Sequence, residues 1–312
     1  MKEDCSPGAR MMLGIALGDS YGAPFENLSF QDAINRLKTD GLSPGRYTDD
    51  TQQAIAIAEV MISGEEISAF HFAQSFLTAY ARDPRHGYSK LTLKMLSSPD
   101  PVTFLRSIPD IERKKRKTDG AAMRAPPLGF FHEREKVTEM ALLSASITHG
   151  HPDAITATCA IALLAHQRLH HMTSFQELWN AIRGDIGMTD PDILPWCDLC
   201  AGLSFPDRDI LLEKYASYGV PYTESRIFLG VVLFLLTRFG DNPCRLLTEA
   251  IKLGGDTDTV AAVVMGIALT RGAENSRIWN LAKKIEKGPY GKDYLVSVGN
   301  ALFARYIKSS RL

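Results

Sequence analysis

Apolar residues recur at three- and four-residue spacing over 8–22, 50–63, 67–82, 134–148, 152–170, 174–187, 223–239, 243–253, 257–271, 275–286 and 290–308. That spacing lays one face of an α-helix against a core, and no convincing strand interrupts it. Between Thr51 and Ile62, the residues Ala54, Ile55, Ala58, Met61 and Ile62 make one apolar face. Ile57 and Val60 widen it until the helix is apolar almost all round, which predicts burial. Val260 to Leu269 reads the same way, and Ala261, Ala262, Gly266 and Ala268 are small enough to let neighbouring helices approach closely.

Breakers at Ser43-Pro44-Gly45, Ser98-Pro99-Asp100-Pro101, Ala125-Pro126-Pro127, Asp190-Pro191 and Asp241-Asn242-Pro243 mark loops. None is a long flexible tract, and no fixed-period repeat suggests a solenoid. The expected architecture is one all-α domain over residues 1–312.

Composition narrows the function more than the fold. The chain has 312 residues, 45% of them hydrophobic, and a formal net charge of −1. It can fill a sizeable core, but its overall field does not point to nucleic acid or an anionic membrane. The N-terminus is polar rather than a signal peptide, and no apolar run has membrane-spanning length. Five cysteines at 5, 159, 197, 200 and 244 form no disulfide pattern, so a reducing, cytoplasmic setting is expected. Cys197 and Cys200 form a lone CxxC without the further ligands that zinc needs. The basic run from Arg113 to Lys117 reads as a solvated loop, with guidance of an anionic substrate as the alternative.

Two short clusters carry the chemistry: Thr48-Asp49-Asp50-Thr51 and Asp256-Thr257-Asp258-Thr259, each running into an apolar helix. Asp and Thr are favoured helix N-caps, so capping is a serious rival to any catalytic reading. One cap serves one helix, however, and each cluster has carboxylates and hydroxyls to spare. Carboxylates gathered in one cleft repel each other unless protonated or joined by a cation. Their hard oxygens suit Mg²⁺, Mn²⁺ or Ca²⁺. Gly254-Gly255 permits the tight turn needed to bring the second cluster to the first.

Gly14 to Glu26, Gly45 to Gln52, Gly120-Ala-Ala-Met123-Arg124 running to Gly129, Thr148-His149, and Gly254 to Thr259 occur in an order and spacing that resemble the ADP-ribosylglycohydrolase family from about residue 10 to 272. The resemblance implies a compact orthogonal multi-helix bundle with two Mg²⁺ or Mn²⁺ ions, releasing ADP-ribose from a protein side chain or small acceptor. It implies metal ligation by Thr48, Asp49, Asp50, Asp256, Asp258 and Thr259, with Thr257 facing away. Glu26 and Asp49 become candidates to take a proton from the attacking water. Gly120, Ala121, Met123, Arg124, His149 and, more loosely, Tyr222 become candidate substrate contacts, alongside Tyr215 and Tyr218 in the same stretch. Met123 also reads as packing, and Arg124 as a partner for phosphate or for a core carboxylate.

Asp119 departs from the family, which more often has Asn there. The acceptor stays open among arginine, serine, another side chain, O-acetyl-ADP-ribose and a nucleic-acid end, and a monomer is permitted. Two other readings remain at this stage: a two-metal phosphoesterase acting on a nucleotide, and a non-catalytic, crystallin-like relative that binds ADP-ribose.

Overall fold

A computed structural model describes residues 5–202, 224–273 and 276–308. Among these residues the α-helices are α1 (Pro7–Gly22), α2 (Phe30–Asp40), α3 (Asp49–Ser63), α4 (Ala69–Arg82), α5 (Lys90–Leu96), α6 (Pro101–Arg106), α7 (Asp110–Arg113) and α8 (Arg134–Ser146). They continue with α9 (Pro152–His166), α10 (Leu178–Thr189), α11 (Leu194–Gly202), α12 (Ser225–Phe239), α13 (Pro243–Lys252), α14 (Thr257–Leu269), α15 (Ser276–Ala282) and α16 (Lys292–Phe303). No strand occurs among the described residues, where one isolated antiparallel bridge joins Thr118 to Glu224.

Each helical segment read from periodicity contains a helix, while α2, α5, α6, α7 and α11 lie outside those segments. Helix α2 buries only Ala33, and α5 to α7 have seven, six and four residues. Elements that short or that exposed leave little apolar periodicity to read. The segment 152–170 also breaks its register: α9 stops at His166 and the chain continues as a π-helical turn over Gln167–His171.

Helix α14 is buried along its whole length, from Thr257 to Leu269. It packs on α1 with almost no side-chain spacer. A β-carbon on Gly14 would lie 2.5 Å from the Met265 carbonyl oxygen, one on Gly18 2.0 Å from that of Ala261, and one on Gly22 2.4 Å from that of Thr257. These glycines recur every fourth residue, on one face of α1. On another part of α1, Gly8 meets Gly299 of α16 with similar closeness. Helix α1 thus sits at the centre of the bundle, and its C-terminal turn lies against the N-terminal turn of α14. The buried hydrophobic residues form one cluster from Met11 on α1 to Leu302 on α16.

Candidate active site

Three helix ends meet at one cleft: the last turn of α1 and the first turns of α3 and α14. Thr48 precedes α3 and Asp256 precedes α14, but neither side chain makes a capping hydrogen bond. Asp256 lines the cleft instead, and the Thr48 hydroxyl turns to the carboxylates of Asp19 and Asp50. The Thr257 hydroxyl instead donates to the Gly22 carbonyl at 2.9 Å and helps fasten α14 to α1.

Asp19, which the sequence reading did not select as a site residue, lies at the centre. It is fully buried and accepts hydrogen bonds from the Thr48 N–H (2.9 Å), the Thr51 N–H (3.0 Å) and the Thr51 hydroxyl (2.6 Å). The Thr48 hydroxyl lies 3.0 Å from Asp19 and 3.0 Å from Asp50. A hydroxyl has one proton, so it serves only one of those carboxylates at a time. The legible signal was the one carboxylate of a glycine-spaced, largely apolar helix.

Asp19, Asp50 and Asp258 each bring a carboxylate oxygen within 4.8 Å of the others. Burial raises Asp19 to about 6, against the pull of its Thr51 and Thr48 hydrogen bonds. Asp50 is pushed well above the usual carboxylate range by burial, then by Asp19 and Asp49. Asp258 is raised in the same way by burial, then by Asp50 and Asp256, and Asp49 by burial and Asp19. Asp50 Oδ1 is buried without any donor.

This donor set fits a hard divalent cation. It consists of carboxylate and hydroxyl oxygens, one orphaned oxygen faces inward, and mutual repulsion is what a bound positive charge relieves. Among the described residues it is also the one group of three or more His, Cys, Asp or Glu side chains so arranged.

Two glycine-dependent turns deliver the remaining acids. Gly254 and Gly255 adopt φ of 72° and 70°, the left-handed region that glycine enters without strain. The turn is stitched to the first motif, with the Gly255 N–H donating to Leu28 at 2.8 Å and the Asn27 N–H donating to Gly255 at 2.7 Å. Glu26 and Asp256 thereby line the same cleft. Glu26 stands exposed at its rim, and its carboxyl is raised by partial loss of solvent and by Asp256. Gly87, at φ 102°, closes over Asp49, since a β-carbon there would lie 1.8 Å from Asp49 Oδ1.

The cleft has a volume of ≈ 180 Å³. Of the expected substrate contacts, Gly120, Met123, Arg124 and His149 line it, whereas Ala121 is fully buried and is not among its lining residues. Tyr215, Tyr218 and Tyr222 lie outside the described residues.

Arg124 is held by the cleft wall rather than by a core carboxylate. Its guanidinium donates to the Ser144 carbonyl (2.7 Å), the Thr148 hydroxyl (2.8 Å), the Gly120 carbonyl (3.3 Å) and Gln53. It therefore braces the cleft wall. The Thr148 hydroxyl, which accepts from Arg124, lies 2.8 Å from His149 Nδ1, and the Thr118 hydroxyl lies 3.1 Å from His149 Nε2, so the ring is held through both nitrogens. Burial, then Arg116 and Arg124, push His149 well below its ordinary range, so the ring is neutral.

The basic run is not a uniformly solvated loop. Arg113 ties the Leu105 and Ile108 carbonyls together, Lys117 pairs with Glu224, and Arg116 lines the cleft. Arg116 donates to the Thr92 hydroxyl at 3.0 Å, and burial lowers it to about 10. It is the cationic side chain that faces the acidic floor together with Arg124. Asp119, the departure noted in the sequence, is buried on that floor and raised by burial and by Asp256, whose carboxylate its own approaches. Two carboxylates meet so closely only across a shared proton or a cation, and Asp119 Oδ2 has no donor. Cys197 and Cys200 are simply buried core thiols of α11.

The sequence pattern of the ADP-ribosylglycohydrolase family matches residues 8–271. The chain belongs to that family, and it is an enzyme of it. It is 27% identical over 300 residues to ADP-ribosylhydrolase ARH3 of Xenopus tropicalis, covering 82% of this chain and 84% of that protein. To the ADP-ribosyl-[dinitrogen reductase] glycohydrolase of Rhodospirillum rubrum it is 24% identical over 273 residues, with 80% of each chain covered. A solved structure described as an ADP-ribosylglycohydrolase-related protein complex superposes with a TM-score of 0.66 over 98% of this chain and all of that one, at 21% identity. That likeness establishes the all-α fold as an ADP-ribosylglycohydrolase fold. The site lies inside the matched residues.

Proposed function

We propose that this glycohydrolase releases ADP-ribose from an ADP-ribosylated protein side chain or a small ADP-ribose conjugate, using two Mg²⁺ or Mn²⁺ ions. The carrying observation is the convergence in one cleft of a buried acidic floor, centred on Asp19, Asp50 and Asp258, with a wall formed by Gly120, His149 and Arg116. Thr48, Asp49, Asp50, Asp256, Asp258 and Thr259 would hold the ions. When bound, such ions supply positive charge that orients ribose hydroxyls and makes a water acidic enough to react near neutral pH.

The chain's own groups do the rest. Asp19 receives the Thr48 and Thr51 hydrogen bonds and so fixes the first turn of α3 relative to α1. Glu26 takes the proton from the attacking water: its raised carboxyl is matched to that task, and its rim position lets it pass the proton to solvent. Asp49 is less suited to that exchange because Gly87 closes over it. Arg116 offers a cation to the substrate diphosphate. Gly120 leaves room at the neutral His149 ring for the ribose to pass, since even a β-carbon there would lie 3.3 Å from His149 Cε1.

A panel of arginine-, serine- and O-acetyl-linked ADP-ribose substrates, each assayed with Mg²⁺ and Mn²⁺, tests this reading. Free ADP-ribose is the expected product, and Asp50→Ala or Asp258→Ala abolishes it while far-UV circular dichroism is retained. Release of AMP or phosphate would replace the proposal with a phosphoesterase. Tight ADP-ribose binding without turnover on any substrate would replace it with a binding protein.

A further inference from the structure

Residues 83–88 lie between α4 and α5, against the first turn of α3. Their backbone reaches the acidic cluster twice. The Asp49 N–H donates to the His86 carbonyl at 3.0 Å, and a β-carbon on Gly87 would lie 1.8 Å from Asp49 Oδ1 and 3.4 Å from Thr48 Cβ. Gln52 of α3 holds the same segment: its amide donates to the Asp83 carbonyl at 2.6 Å, and its oxygen accepts from the Tyr88 hydroxyl at 2.7 Å.

A single side chain ties this segment to the other flank of the cluster. Arg85 is buried, and its guanidinium carbon lies 3.6 Å from the centroid of the Tyr47 ring. It donates to the Tyr47 carbonyl at 3.2 Å and pairs with Asp83 and with Glu286, which comes from the chain between α15 and α16. Tyr47 immediately precedes Thr48, and its own hydroxyl donates to the Tyr290 carbonyl at 2.9 Å. Thr48 and Asp49 are thus held between Tyr47 on one side and Gly87 on the other, with Arg85 joining the two.

Charge neutralisation does not account for this placement. Arg46, exposed at the surface, already pairs with Asp83 at 3.4 Å and with Glu286 at 3.1 Å. What Arg85 adds is direction: a planar fork with its face on an aromatic ring fixes several groups at once, as a flexible ammonium does not. Arg85 is not among the residues that line the cleft, so it acts through Tyr47 and Gly87.

We propose that Arg85, seated by Glu286, is a positioning residue that fixes the Asp49 backbone and carboxylate in the cleft. Without it, Tyr47 and residues 83–88 lose their common anchor, and Asp49 between them gains freedom. The consequence for catalysis rests on the two-ion reading above, because an unfixed Asp49 holds its ion less tightly. Groups that orient metal ligands from behind are commonly worth about ten- to a hundredfold in affinity or activity.

The test compares the full wild-type chain with Arg85→Gln, Arg85→Lys, Glu286→Gln and, as control, Arg46→Gln, each checked for retained helicity by circular dichroism. Three properties are read: Mn²⁺ affinity by calorimetry, kcat and KM for ADP-ribose release, and, in chelator, hydrogen exchange of the Asp49 amide relative to amides of α14. Both Arg85 variants should bind Mn²⁺ about tenfold more weakly and lose about tenfold in kcat with KM little changed. Their Asp49 amide should exchange about tenfold faster while α14 stays protected. Glu286→Gln should shift all three in the same direction by less, and Arg46→Gln should match the wild type. Wild-type values in folded Arg85→Gln overturn the proposal, as do wild-type values in Arg85→Lys, an equal loss in Arg46→Gln, or equal acceleration of the α14 amides. Should Arg85→Gln fail to fold, Arg85→Lys and Glu286→Gln decide by the same criteria. If the wild type binds no Mn²⁺, the two-ion reading falls, while the Asp49 amide still decides whether Arg85 positions it.

Discussion

Asp19 Oδ2 accepts both the backbone N–H and the hydroxyl of Thr51, at 3.0 and 2.6 Å, and so joins the middle of the bundle to the first turn of α3. Asp19→Ala leaves buried donors on Thr48 and Thr51 without an acceptor, at a cost of about 1–3 kcal/mol each. It also relieves repulsion among the neighbouring carboxylates. The two effects separate with metal: urea unfolding should show a small loss of stability in chelator and a much larger one with saturating Mn²⁺. Equal losses in both conditions would mean that Asp19 has no part in the metal site.

Gly18 and Gly184 give opposite answers to the same change. A β-carbon on Gly18 meets backbone atoms of Ala261 and Ala262 at 2.0 to 2.5 Å, which no side-chain rotation can relieve. Gly18→Ala should therefore destabilise by at least about 1–3 kcal/mol, and should weaken Mn²⁺ binding by moving Asp19 from Asp258. Gly184, on α10, has nothing within 4 Å of its β-carbon position. Gly184→Ala should stabilise by about 0.4–1 kcal/mol through lower unfolded-chain entropy. Thermal denaturation of both variants reads the contrast.

Metal binding should expel protons. Without an ion, Asp49, Asp50, Asp119 and Asp258 are raised by burial and by one another, and Asp19 is raised to about 6. A raised carboxyl stabilises the fold fully below its unfolded value, here 3.8, and that stabilisation is lost as pH rises through the folded value; for Asp19 the window is 3.8 to about 6. A bound cation reverses the preference by favouring the ionised forms. Calorimetric Mn²⁺ titrations in two buffers of different ionisation enthalpy should show net proton release at about pH 7, and affinity that rises from about pH 5 to pH 8. Asp119→Asn should release fewer protons and, in chelator, be more stable than the wild type.

Arg116 is the cleft residue that the basic run concealed. Arg116→Gln keeps a donor for Thr92 but removes the cation, and a charge-assisted hydrogen bond is worth about 1.5–3 kcal/mol. KM for ADP-ribosylated substrate should rise about tenfold or more, with circular dichroism and Mn²⁺ affinity retained. An unchanged KM would place the diphosphate elsewhere.

By itself the sequence determined the helical class, the burial of α3 and α14, and both acidic clusters. Each of these is written in local spacing, and the five motifs carried the family as well. Helices α2 and α5 to α7 escaped because they are short or expose most of their length. The tertiary structure alone decided that the two clusters meet. Capping and ligation call on the same residues, and the lack of a capping hydrogen bond from Thr48 and Asp256 is legible only in the fold.

The same holds for single residues whose partners are remote in the chain. Asp19 became central through Thr48 and Thr51, about thirty positions away, and Arg124 became a brace through Gln53, Ser144 and Thr148. The four-residue spacing of Gly14, Gly18 and Gly22 is visible in the chain, but its meaning required a second helix. Local periodicity reports which face of a helix is buried; only the fold reports against what, and charge and hydrogen bonding act across that contact.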